Sequence, residues 1–144
     1  YESFLSSSSK MVTKQLKRDS SAVVGYQFIP INFPFINDRH YCFKLIKNEI
    51  NIRDSKTLVK WFLLEEDTKL LDNESLSNGD IIYLKYGAGI WLMDSVDENR
   101  IKISYRLFMD PGGSIPNFLT EKINKISIIN LFKDVIAEAE RRTS

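Results

Sequence analysis

The chain holds few side chains able to do chemistry, and their settings argue against catalysis. His40 is the only histidine, and it sits beside Tyr41 in an apolar stretch. A lone histidine there reads as a structural residue rather than a general base. Cys42, the only cysteine, lies in Tyr41-Cys42-Phe43 and reads as a buried, inert thiol. No second cysteine exists to form an intrachain disulfide, and no Cys/His cluster has zinc-ligand spacing. Gly87-Ala88-Gly89 is too short for a phosphate loop. Glu65-Glu66-Asp67 reads as a solvated strand end rather than a cation site. Asn73-Glu74-Ser75 fits the glycosylation acceptor pattern, a tripeptide common by chance. These residues predict no catalytic set, no metal site and no cofactor.

Charge narrows the partners. The 20 basic residues nearly cancel the 19 acidic ones. A net basic surface for nucleic acid is therefore not expected. No apolar run approaches the roughly 18 residues that span a bilayer, and no secretory signal opens the chain. The first residue is Tyr rather than Met, so a fragment or a processed product is expected. The lack of a disulfide framework leans towards a soluble protein of a reducing compartment such as the cytoplasm. The length, 144 residues, predicts one domain over 1–144 with a core of its own.

Stepping along the chain, strands come first. Lys10–Lys17 alternates, Asp19-Ser20-Ser21 turns, and Ala22–Ile29 is β-branched and aromatic. Pro30 and Pro34 break the ladder. Arg39–Ile46 resumes it, with Tyr41, Phe43 and Leu45 on one face. Residues 48–56 read as a turn, 57–65 as a strand with Leu58, Phe62 and Leu64 on one face, and 66–79 as a long loop. Asp80–Tyr86 and Ile90–Met93 are strand-like, and the glycines between them suggest a bulge. After the Asp97-Glu98-Asn99 turn, Ile101, Ile103, Tyr105 and Leu107 alternate with Lys102, Ser104 and Arg106. Asp110-Pro111-Gly112-Gly113 ends that strand. Beyond Pro116 the period becomes helical. Leu119, Ile123, Ile126, Ile129, Phe132 and Ile136 form one stripe, and Ile128, Leu131 and Val135 adjoin it. Strands in series followed by one long apolar-faced helix predict an α+β fold, with the sheet covering the helix.

Three stretches carry a family resemblance. Asp110-Pro111-Gly112-Gly113-Ser114-Ile115-Pro116-Asn117-Phe118-Leu119 resembles the junction between last strand and final helix in START (StAR-related lipid transfer) domains. Pro34-Phe35-Ile36-Asn37-Asp38-Arg39-His40-Tyr41 resembles the family's Arg-Asp-aromatic strand start, with His40 where the family has Asp. Gly89-Ile90-Trp91-Leu92 resembles the Gly-aromatic pair of the penultimate strand. The likeness spans residues 10–142 and implies a helix-grip architecture: a curved antiparallel sheet packed on a long C-terminal helix. A full START domain is longer, so the resemblance implies that N-terminal elements are missing from this stretch.

What the resemblance implies about function is one lipid or sterol-like ligand in an apolar cavity under the helix. Strand alternation offers Phe43, Leu45, Phe62, Leu64, Ile103, Tyr105 and Leu107 as inward residues, and the helix adds Phe118, Leu119, Ile123 and Ile126. Tyr83, Lys85 and Tyr105 are the polar groups able to orient a ligand. The loop Phe33-Pro34-Phe35-Ile36 falls at the family's gate and suits transient contact with a membrane surface. Pro111, Gly112 and Gly113 offer a hinge. Each inward residue, taken singly, is more often plain core than ligand wall, and the loop apolars equally suit a cap over the core. A helix-grip enzyme of the polyketide cyclase or aromatase type, or an interaction module without ligand, also fits the residues. The oligomeric state is not legible.

Overall fold

A computed structural model describes residues 11–31, 33–51, 56–66, 80–113 and 115–143. The stretches Ser6–Ser9 and 67–79, and with them Asn73-Glu74-Ser75, lie outside the described residues. So do the side chains of Phe118, Leu119, Ile123 and Ile126. The strands are β1 (Val12–Arg18), β2 (Ala22–Ile29), β3 (Arg39–Asn51), β4 (Lys56–Leu63), β5 (Ile82–Tyr83), β6 (Gly87–Asp97) and β7 (Arg100–Met109). One helix follows, α1 (Asn117–Thr143). The sheet runs β1-β2-β3-β4-β6-β7 with every neighbouring pair antiparallel. The two-residue β5 alone pairs parallel, against the start of β3. This is the expected α+β layout of a curved sheet and a C-terminal helix.

Local chemistry explains the corners. The Asp19 carboxylate accepts the backbone N–H groups of Ser21 at 2.9 Å and Ala22 at 2.7 Å, closing the β1–β2 turn. Those bonds hold its pKa below the usual carboxylate value. Pro116 stands directly before α1, where its fixed φ suits a helix start. Arg141 and Arg142 close the far end, both paired to Glu138, and the cations favour the helix C-terminus.

Three expectations about elements change. Strand β3 runs on to Asn51 and β4 starts at Lys56, so both ends of the expected 48–56 turn are strand, and 52–55 lie outside the described residues. Asp80–Tyr86 contributes only the short β5. Gly87-Ala88-Gly89 makes no bulge: its register against Met109, Phe108 and Leu107 is unbroken, and the irregularity falls between Ser95 and Asp97. Glycine serves another end at position 89. A Cβ there would fall within the indole of Trp61, so the bare backbone lets that ring lie across β6.

Each sheet face has its own core. On the face towards α1, Tyr41, Phe43, Leu63 and Leu84 are buried, with Trp61, Ile82 and Met109 packed beside them. On the outer face Tyr26, Cys42 and Tyr83 pack together with Phe28 and Leu64. Cys42 is fully buried there. His40 is buried between two tyrosine rings, edge-on to Tyr26 at 5.9 Å and to Tyr83 at 5.2 Å.

Candidate functional site

The inner face is identified by Phe132. Its ring packs from α1 onto Trp91 at 5.2 Å and Tyr105 at 6.5 Å between centroids. Trp91 and Tyr105 face each other across β6 and β7 and stack at 4.0 Å. Pairing parity then assigns the rest. Trp91 opposes Val59, Trp61 opposes Leu45, and Leu63 opposes Phe43, so these share the inner face with Tyr41.

Phe43, Tyr105 and Leu107 therefore stand on the inner face, as do Leu45 and Ile103. Phe62 does not. It pairs with Lys44, faces outwards and is 37% exposed. Leu64 likewise packs in the outer cluster. The stretch Leu58-Val59-Lys60-Trp61-Phe62-Leu63-Leu64 is apolar at both parities, so alternation alone cannot choose the face. Lys60, on the parity of Phe62, was the available signal that this side turns to water. Trp61 and Leu63, missed by the sequence reasoning, are the inner residues of β4.

Tyr83 is also on the outer face. Its hydroxyl donates to the Leu64 carbonyl at 2.9 Å and accepts the Cys42 N–H at 3.1 Å. Burial pushes its pKa up. It is a structural tie between β3 and the end of β4. Lys85 is exposed. Tyr105, by contrast, holds its hydroxyl 3.0 Å from the Trp61 indole N–H, which it accepts. Burial pushes its pKa up to about 12.

The helix stripe is rotated from the expected one. Ile128, Leu131, Phe132 and Val135 are half-buried, whereas Ile129 and Ile136 are each 47% exposed. A residue advances 100° around a helix, and the covered arc excludes these two. Asp134 falls on the covered side and is buried.

The strand-to-helix junction is fastened by Arg39, a residue that sequence reasoning treated only as part of a motif. The side chain is 3% exposed. Its Nε donates to the Pro111 carbonyl at 3.1 Å, Nη2 to the Gly112 carbonyl at 2.9 Å, and Nη1 to the Asn37 carbonyl. Burial pulls the guanidinium pKa below its ordinary value, while the Asp38 charge acts the other way. Gly112 and Gly113 take φ of +60° and +66°, which glycine alone adopts freely. The Asp110 carboxylate accepts the Gly112 N–H at 2.9 Å. In the loop before β3, Phe33 and Ile36 bridge across Pro34-Phe35. Phe35 has φ of +65° and is fully exposed, and Phe33 is 47% exposed.

Among the described residues no His, Cys, Asp and Glu cluster able to hold a metal gathers, and no helix is long and apolar enough to cross a membrane. Neither a family model nor a curated protein matches the sequence. Solved structures do match in shape. The STAR-related lipid transfer protein of Xanthomonas axonopodis superposes with a TM-score of 0.61 over 88% of this chain, at 16% identity. Human STARD10 superposes with a TM-score of 0.71 over 99% of this chain, at 14% identity. The chain spans 63% and 57% of those two structures. With its sheet gripping a C-terminal helix, this chain has a START-like helix-grip fold.

Proposed function

We propose that this chain binds one lipid or other apolar ligand between the inner face of the sheet and α1, as a carrier rather than an enzyme. The observation that carries this reading is the make-up of the inner face. From Thr57 to Leu63, Gly87 to Met93 and Ile101 to Met109, every inner-face position is uncharged. Trp61, Trp91, Tyr105 and Phe132 give it an aromatic floor. A site of that kind suits a hydrocarbon body and offers few polar groups. An enzyme of the same architecture needs titratable groups converging on the reacting atoms. Among the described residues two charged side chains are buried about this face, Asp134 on α1 and Arg39 at its edge, and Arg39 is committed to backbone carbonyls. Phe43, Leu107, Trp61 and Trp91 are the proposed apolar wall, and Phe118, Leu119 and Ile123 its proposed continuation on the helix.

The Phe33–Ile36 loop is the proposed point of transient membrane contact. Phe35 is a large apolar side chain held fully in solvent on a backbone conformation unfavourable to it. Such strain persists where the exposed ring has a use, and insertion below lipid headgroups is one. The test is native mass spectrometry before and after incubation with mixed-lipid vesicles. A discrete added mass matching one lipid class is the expected result. A folded, intact chain that takes up no mass would refute the carrier reading.

A further inference from the structure

The carrier reading leaves the ligand's polar group unassigned, and the hydrogen bonds around Tyr105 point to its chemistry. We infer that the Tyr105 hydroxyl donates a hydrogen bond to a neutral oxygen of the ligand, a hydroxyl, ketone or ester carbonyl. This rests on the carrier reading and adds the ligand class to it.

Of the three polar side chains that could orient a ligand, two are excluded by position. The Tyr83 hydroxyl has both a donor and an acceptor partner and faces outwards. Lys85 is exposed beyond β5. Tyr105 faces the helix. An indole N–H is a donor only, whereas a phenol both donates and accepts. The Trp61 contact at 3.0 Å therefore uses the phenol oxygen as acceptor and leaves its proton free to donate. Among the described residues no acceptor takes that proton. The ring cannot turn aside to find one, because it is stacked on Trp91 at 4.0 Å and edged by Phe132. Trp61 is itself held in place by lying over Gly89. The donor is thus fixed in direction before any ligand arrives. A half-buried donor with no acceptor among the described residues is unfavourable, and an acceptor oxygen on the ligand relieves it.

The surroundings select a neutral acceptor. Ile103 and Leu107 flank Tyr105 on β7, and Gly89 and Met93 flank Trp91 on β6. An ionised carboxylate or phosphate placed here would be desolvated with no cation among these described neighbours. With the phenol pKa at about 12, the donor keeps its proton across the physiological range.

The experiment measures affinities of the chain for 1-hexadecanol, methyl palmitate, hexadecane and palmitate at neutral pH, for wild type and Tyr105→Phe. The alcohol and ester are expected to bind tightest. Tyr105→Phe should weaken both by about fivefold, the worth of one ordinary hydrogen bond, and leave hexadecane unchanged. The infrared carbonyl band of bound methyl palmitate should lie at lower frequency in wild type than in Tyr105→Phe, and stay low in Trp61→Phe. This second readout does not depend on small stability differences. Equal losses for alcohol and hexadecane, or a carbonyl band that ignores Tyr105, would overturn the assignment and leave the carrier reading standing. Palmitate binding tightest would overturn the neutral class. A wild-type chain that takes none of the four would overturn the carrier reading and this inference with it.

Discussion

Replacing Arg39 by Met isolates what the junction contributes. The variant keeps an unbranched apolar stem and removes every donor. Two of the three carbonyls, on Pro111 and Gly112, are half-buried, while Asn37 is exposed and water replaces its bond. Hydrogen bonds to a charged group contribute about 1.5–3 kcal/mol each, and an orphaned buried acceptor costs about 1–3 kcal/mol. Against this stands the desolvation of the guanidinium, several kcal/mol, which the variant escapes. The balance is a loss of about 2–4 kcal/mol. At roughly 2–4 °C per kcal/mol for a chain of this size, the thermal midpoint should fall by about 5–15 °C. Arg39→Lys should fall between the two, because one ammonium reaches a single carbonyl and cannot span both. Thermal unfolding followed by circular dichroism gives the midpoints, and hydrogen exchange over 110–116 localises the effect. The reasoning fails if Arg39→Met unfolds within about 0.5 kcal/mol of wild type, the range of ordinary surface changes. It also fails if lost protection is spread over the sheet and spares the junction.

Three further perturbations test other parts of the structure. Burial lowers the His40 pKa in the folded state, with the Glu66 charge opposing. The unfolded chain therefore takes up a proton that the folded one resists, and stability is lost as pH falls below about 6.5 at up to about 1.4 kcal/mol per unit. Urea midpoints between pH 7 and 5 should show this slope in wild type, and His40→Gln should flatten it. Gly89→Ala sets a methyl into the Trp61 indole. It should cost about 1–3 kcal/mol by overpacking and shift the indole fluorescence; an unchanged spectrum would show that the ring is not held there. Phe35→Gly removes an exposed ring from a positive-φ site, so stability should hold or rise by about 1 kcal/mol, while vesicle-to-vesicle transfer slows. A transfer rate equal to wild type would remove the loop from the mechanism.

Much of this architecture was legible because the patterns were one-sided. Ile101, Ile103, Tyr105 and Leu107 alternate with polar residues, and β7 lies where they put it, extended by one residue at its start and two at its end. The Asp-Pro-Gly-Gly stop and Pro116 bracket the helix start for local backbone reasons. What failed was parity where both faces are apolar. The β4 run has two cores to serve, an inner one with Leu63 and an outer one with Leu64, so no alternation remains to read. Its facing is set by register against β3, a long-range fact. The helix stripe failed for a related reason. Ile129 and Ile136 continue the apolar period, but coverage depends on how much arc the sheet reaches. The Tyr105–Trp61 bond was invisible because it joins β4 to β7 across an intervening glycine.

The fastenings of α1 determine how it can admit a ligand on the carrier reading. At its start the chain is tied covalently to β7, and Arg39 adds two charged bonds to the connecting carbonyls. Further along, the ring contacts among the described residues are those of Phe132 with Trp91 and Tyr105, and such pairs contribute about 0.5–1.5 kcal/mol each beyond burial. The Glu138 pairs with Arg141 and Arg142 lie within the helix and do not bind it to the sheet. On that reading we propose that loosening starts on the Phe132 side, with Gly112 and Gly113, at φ of +60° and +66°, as the pivot. The ring that lifts first is the one lying over Tyr105. On that reading, opening the helix and exposing the proposed hydrogen-bond donor are a single movement, because the Phe132 ring that lifts is the one edging Tyr105.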